Sequence, residues 1–265
     1  MRVRRDLSLH VATLPGGAVR ETKEARRKRA AAIAAALAKA YPQSTCALRH
    51  DSPFQLLVAT VLSAQTTDLA VNRATVGLFG DFPDAARMAT APLSAIEARI
   101  SSIGLWRAKA RNVQALSQRL VDMHGGQVPQ TLEELVDLPG VGRKTATAVL
   151  GQAFGMAAGL TVDTHMMRIN RLLRLSTART PEKMAADLEA ILPPKEWTRY
   201  THRIIDHGRP VCVARRPRCG VCPLQALCPS AFQARAGYTP ENDERVPASA
   251  AGLSWLAVET AKSSQ

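Results

Sequence analysis

Four cysteines, Cys212, Cys219, Cys222 and Cys228, fall within seventeen residues at the spacing C-x6-C-x2-C-x5-C. No other feature limits the chain's possible folds as sharply. No secretory signal is evident, and in a reducing compartment thiols stay free, so disulfides explain the cluster poorly. Unrelated buried thiols would be scattered rather than gathered. A metal-binding loop is left. Zinc commonly draws on two paired knuckles, and only one C-x2-C pair is present. A [4Fe–4S] cluster is larger and suits ligands spread along one irregular loop. Spacing favours the cluster and leaves zinc open. The fifth cysteine, Cys46, stands alone and reads as a small buried apolar residue.

The loop is also basic. Arg203, Arg209, Arg215, Arg216 and Arg218 lie on it or just before it, against one acid, Asp206. Three of these arginines sit between the first and second cysteines, so a bound metal would hold a charged loop in fixed shape. That suits a phosphate-binding surface better than a redox relay. The whole chain agrees, with a formal net charge of +13 over 265 residues. Such an excess attracts polyanions, nucleic acid first among them, through phosphate neutralisation and counterion release. Part of it sits in an N-terminal arm, where residues 1–29 hold nine basic and three acidic side chains. Residues 231–265 hold three basic and four acidic side chains with scattered Pro, Gly and Ser, and read as a tail. No apolar run approaches the roughly 18 residues of a spanning helix, so no membrane partner is expected. The start Met1-Arg2-Val3-Arg4-Arg5 lacks a signal-peptide core, and a cytoplasmic, unsecreted protein is expected.

With aromatics at 4%, the core must be aliphatic and alanine-rich. Alternation of β-branched residues never runs far, whereas helix signals recur throughout, so the chain reads as all-α. Residues 21–40 are rich in Ala, Lys and Arg and are closed by Pro42. Ser52-Pro53-Phe54-Gln55 offers an N-cap, a proline at N1 and a glutamine at N3. The segment Leu56–Leu62 that follows is apolar nearly all round, as a central buried helix is. Val113, Leu116 and Leu120 mark an amphipathic helix, and Thr180-Pro181 opens another along Met184, Leu188 and Ile191. Breaks fall at 81–83, 103–104, 124–126 and 193–194.

Leu138-Pro139-Gly140-Val141-Gly142-Arg143-Lys144-Thr145-Ala146 joins a short helix over 131–136 to an apolar one over 144–154. The glycines permit a tight turn and close approach of a ligand, and free N–H groups opening the second helix would point at an anion. The segment reads as a helix-hairpin-helix gripping a DNA backbone; an ordinary Gly-rich connection between antiparallel helices is the alternative. Lys144 sits where the positive helix end opposes its charge. In a partly dry groove such a lysine is a nucleophile; otherwise it is a phosphate contact. Nineteen residues later, Asp163 in Val162-Asp163-Thr164-His165 precedes a helix carrying Arg168, Arg171 and Arg174. It reads as an N-cap, a role that leaves one carboxylate oxygen for chemistry.

Taken in order, the hairpin motif, Val162-Asp163-Thr164-His165 and the cysteine spacing resemble the endonuclease III family of DNA glycosylase/AP lyases. Ser52-Pro53-Phe54, Leu62-Ser63-Ala64-Gln65 and Ile103-Gly104-Leu105 add to the likeness, which covers about residues 29–230. The resemblance implies two helical domains with a DNA cleft between them. Residues 46–157 would form a six-helix barrel with the helix-hairpin-helix. Residues 28–45 and 158–230 would form the [4Fe–4S] domain, with 1–27 as an extension and 231–265 as a tail. It implies Lys144 as Schiff-base nucleophile and Asp163 as its activating carboxylate. Cys212, Cys219, Cys222 and Cys228 would be the cluster ligands, and Gly140, Val141, Gly142 and Arg143 the backbone-gripping hairpin. Gln65 and Leu105 would fill the gap left by a flipped base, and Asp68 and His165 would line its pocket. Without the resemblance, Gln65 is a polar surface residue and Leu105 an apolar loop anchor.

The implied activity is removal of oxidised pyrimidines from duplex DNA by a monomer, followed by β-elimination at the abasic site. Adenine-mismatch glycosylases usually lack the lysine and carry an early catalytic glutamate, which Ser63-Ala64-Gln65-Thr66-Thr67 does not offer. Eight-oxoguanine glycosylases usually lack the cluster. Trp106 and Arg107, after Leu105, are a departure expected to influence lesion preference. The alternatives are a helix-hairpin-helix iron–sulfur DNA binder with weak or monofunctional activity, and a zinc-dependent basic nucleic-acid binder.

Overall fold

The computed structural model describes residues 21–232. The basic arm before residue 21 and the tail beyond 232 lie outside the described residues. No strand occurs among those described, and eleven α-helices and three short 3-10 turns make up the regular structure. The all-α expectation holds.

Helix α1 (Lys23–Ala40) begins behind Thr22, whose hydroxyl accepts from Ala25 N. It crosses to α11 (Trp197–Gly208) and buries Ile33 and Leu37. Helix α2 (Pro53–Leu62) is capped by Ser52, which accepts from Gln55 N. The Gln55 side chain reaches back one residue further than in a standard capping box, accepting from Asp51 N at 2.9 Å. All of α2 except Pro53 and Thr60 is buried, as its apolar composition requires.

Around α2 stand α3 (Asp68–Asp81), α6 (Trp106–His124) and α8 (Arg143–Phe154). Two short helices, α4 (Ala85–Thr90) and α5 (Leu93–Ile100), pack on α6, and α7 (Leu132–Val136) packs on α8. Their inward side chains form one core that includes Leu56, Leu57, Leu78, Met88, Ile96, Val113, Leu116 and Leu120.

A second core gathers α1, α9 (Thr164–Leu172), α10 (Pro181–Glu189) and α11 around Met166, Leu188, Tyr200 and Ile204. Burying the Tyr200 hydroxyl requires a partner. Its O–H donates to Asn170 Oδ1 at 2.7 Å, and Asn170 Nδ2 donates to Met166 O. The cores meet where α8 lies against α11. Gln152 of α8 is the polar tie there, bonded through Oε1 to His202 Nε2 at 3.1 Å and donating through Nε2 to Thr45 Oγ1. Burial holds His202 below the ordinary histidine range, only partly offset by the Asp206 charge.

Candidate active site and cysteine loop

The turn ahead of α8 is held by its apolar residues. Leu138 and Val141 are buried, and Val141 N donates to Leu138 O at 3.1 Å. Gly140 lies between them at φ +76°, a left-handed conformation, and a Cβ there would stand 2.9 Å from Asn112 Nδ2. Gly142, which caps α8, has a φ of −90° and open space where a Cβ would be. Only the first glycine is demanded by the turn; the second leaves the surface clear for a ligand. Seven helices are capped by a Ser, Thr or Asp side chain, but α8 has none, so its first N–H groups have no side-chain acceptor.

Arg143 and Lys144 are the first two residues of α8 and both are exposed. Lys144 therefore does not sit in a dry groove in the free protein. It borders an open concavity walled by Thr147 of α8, the connection 157–162 and the α10 face carrying Glu182 and Glu189. Val162 lines the same concavity, and the next residue is Asp163. Asp163 is half-buried and caps α9, its Oδ1 accepting from Met166 N at 2.8 Å. Its second oxygen accepts no bond within the described residues. The cap reading and the availability of one oxygen both hold.

Asp68 on α3 and His165 on α9 stand on helices of different cores, and the end of α11 contacts both. Gly208 lets His165 pack closely, since a Cβ there would lie 2.5 Å from His165 Nδ1. The next residue, Arg209, donates to Asp68 Oδ2 at 2.7 Å. This pairing was not foreseeable from motifs, because the partners are 141 residues apart.

Gln65 and Leu105 share an unusual backbone. Only four non-glycine residues among those described have positive φ, and these are two of them, at 54° and 57°. Such conformations cost stability and cluster at working sites. Leu105 is 65% exposed although large and apolar. Beside it the Arg107 guanidinium stacks 4.0 Å over the Trp106 ring.

All four clustered cysteines face one cavity, together with Ile169, Leu172 and Leu224. Among the described residues no three His, Cys, Asp or Glu side chains are close enough together to hold a single metal ion. Four thiols spread around a shared, largely apolar cavity fit a polynuclear cluster. Burial first, and then the neighbouring sulfurs, push the Cys222 thiol up to about 12, although Leu224 N–H opposes this. Binding iron would therefore have to displace its proton.

Partners absent from any motif surround the ligands. Arg168 donates to Cys212 O at 2.5 Å and lies 3.6 Å from its sulfur. His207, held at about 4 by burial and then by the Arg168 charge, bonds Tyr41 through Nδ1 and sits 3.6 Å from Cys222 Sγ. Of the basic residues read from this loop, Arg203 turns inward to Glu196 and Arg209 goes to Asp68. Arg215 and Arg216 are exposed with no ion pair among the described residues. The unpaired positive charge here is thus narrower than composition suggests. Cys46 is partly buried against the first core, as expected of an isolated thiol.

Comparison with known proteins followed the same outline. Residues 58–194 match the family model of the HhH-GPD superfamily of base excision DNA repair proteins, and residues 212–228 match the iron–sulfur binding domain of endonuclease III. Endonuclease III of Synechocystis sp. is 48% identical over 206 residues, covering 78% of this chain and 94% of the relative. Endonuclease III of Escherichia coli K12 is 38% identical over 187 residues, covering 71% and 88%. A solved endonuclease III–DNA covalent intermediate superposes with a TM-score of 0.72 at 40% identity, covering 78% of this chain and 97% of that one. A thermostable thymine-DNA glycosylase at 22% identity and a TM-score of 0.71 shares the fold.

Proposed function

The chain belongs to the endonuclease III family of HhH-GPD base excision repair proteins, and from that premise we propose which of its residues carry out the glycosylase and AP lyase reactions on duplex DNA. The substrates are oxidised pyrimidines and the abasic sites left by their removal, and the enzyme acts as a monomer. The supporting observation is Lys144 at the uncapped start of α8, on a concavity shared with the residue before Asp163.

The hairpin N–H groups and Arg143 hold a backbone phosphate beside the lesion. The damaged nucleotide rotates out of the stack into the space between the two cores, which are read as the two domains. Gln65 and Leu105 enter the vacated position, and Asp68 and His165 border the base. Closure of DNA over exposed Lys144 removes water from the amine. Asp163 accepts a proton from it through its free carboxylate oxygen. The neutral Nζ attacks C1′; the C1′–N bond breaks, and the base leaves with its electron pair and takes up a proton. Ring opening gives an imine between Lys144 and C1′. Loss of a C2′ proton then expels the 3′ phosphate, and water releases the lysine. Asp163 also stabilises positive charge as it develops on the sugar.

The protein is an iron–sulfur protein whose ligands are Cys212, Cys219, Cys222 and Cys228 in this reading. When bound, the [4Fe–4S] cluster supplies a structural clamp on the loop that presents Arg215 and Arg216 to DNA.

Borohydride trapping on a duplex with one abasic site tests the assignment. A covalent adduct is expected with wild type and not with Lys144→Ala. An adduct of equal yield from a folded, brown Lys144→Ala protein would overturn it.

A further inference from the structure

Lys109 is buried to 5% exposure on the inner face of α6 and has no carboxylate partner among the described residues. Its one side-chain bond runs from Nζ to Thr66 Oγ1 at 2.7 Å. Burying an ammonium with a single neutral acceptor is costly, and desolvation holds its pKa below the ordinary lysine range. Core packing alone would be served better by leucine or methionine, so the charge calls for another explanation.

The residues on either side of Lys109 supply one. The Thr66 hydroxyl that accepts from Lys109 also contacts Ala64 O at 3.3 Å, and Thr66 N donates to Ser63 O at 3.0 Å. These bonds close the turn in which Gln65 is left-handed. At the other end of the same residue, Lys109 N donates to Leu105 O at 3.0 Å, closing the first turn of α6 behind left-handed Leu105. One residue therefore links the two strained segments: its side chain bonds Thr66, the neighbour of left-handed Gln65, and its backbone N–H makes the first helical bond to Leu105.

We infer that Lys109 is a positioning residue that locks Gln65 and Leu105 into a single preformed wedge for the space a flipped nucleotide vacates. The inference rests on the reading of Gln65 and Leu105 as the gap-filling pair. Lys109 touches neither the sugar nor the base. Its contribution is that neither left-handed residue has to be ordered during base extrusion, so its loss should slow reactions that require extrusion from a duplex. Chemistry on a nucleotide that is already unstacked should be unaffected.

The test compares imine trapping on one abasic oligonucleotide presented as a duplex and as a single strand. Lys109→Met keeps the stem and removes the donor, and burying an apolar isostere is tolerated in folding. The duplex rate should fall about ten- to a hundredfold, the size expected for small misplacement of a remote positioning group, while the single-strand rate stays at wild type. Thr66→Val, which leaves the buried lysine in place, should give the same split, and Lys109→Arg should recover most of the duplex rate. Equal losses on both substrates, or none on either, would overturn the inference. Leu105→Ala separates the two ideas. If it lacks a duplex-specific loss, the wedge reading fails and this inference with it. If it shows that loss and Lys109→Met does not, the inference alone fails.

Discussion

Leu138 and Val141 anchor the turn before α8 in the first core, on either side of left-handed Gly140. The loop after α11 is also short of regular structure and basic, but it contributes mainly Leu224 to the second core and otherwise surrounds a cavity with thiols. Both regions carry exposed positive charge, Arg143 and Lys144 in one and Arg215 and Arg216 in the other. Buried apolar residues hold the hairpin, while the cysteine loop winds through backbone turns around a cavity that its four thiols line. On the reading proposed above, the reactive lysine keeps its place without metal, while part of the grip on DNA requires the cluster.

The largest effect that would sharpen this contrast is at Lys144. Lys144→Ala should reduce imine formation by more than about a thousandfold while duplex affinity changes by less than about tenfold, because the hairpin binds through backbone groups. A parallel collapse of affinity would show that the hairpin is not self-sufficient. Asp163→Asn separates cap from chemistry in the same region. Asparagine caps about as well as aspartate, so stability should move by no more than about 0.5 kcal/mol, while turnover falls by about 10²–10⁴. Unchanged turnover would leave Asp163 as a cap only.

The other region is tested by Cys219→Ala. Loss of the brown chromophore should weaken duplex binding and lower the slope of log affinity against log salt by about two, one each for Arg215 and Arg216. Most of the far-ultraviolet helical signal should survive. Global unfolding would break the comparison, since the first core would then depend on the cluster too. Gly140→Ala should cost about 1–3 kcal/mol in a denaturant melt, from the left-handed backbone.

The smallest effect concerns the tie between the cores. His202 has its folded pKa depressed below 6.5, so its contribution is complete above that value. It is lost as pH falls below 6.5 towards the folded pKa, because the unfolded chain takes the proton first. A plot of stability against pH should steepen there by less than about one proton, and His202→Gln should remove the excess.

Much of this was legible along the chain because it depends on near neighbours. The burial of α2 followed from an unbroken apolar run, and the caps at Ser52, Asp163 and Thr180 formed as local chemistry requires. Lys109 escaped notice although a signal existed. It lies four residues before Val113, on the stripe continued by Leu116 and Leu120, so its burial could have been read from helical period. Its purpose could not, because Thr66 is 43 residues away.

The sequence by itself determined the all-α class, several of the helices and their caps, the family, and the residue types able to form an imine or ligate iron, since these follow from short-range periodicity and from motifs intact in order. Tertiary structure alone decided that Arg215 and Arg216 stay without an ion pair among the described residues, that Arg209 meets Asp68, that Arg168 and His207 lie beside Cys212 and Cys222, and that Lys109 reaches Thr66. These pairings bring together side chains far apart in the chain, and that proximity is set by how the helices pack. A buried charge or a surface cation takes its role from the partner that packing supplies.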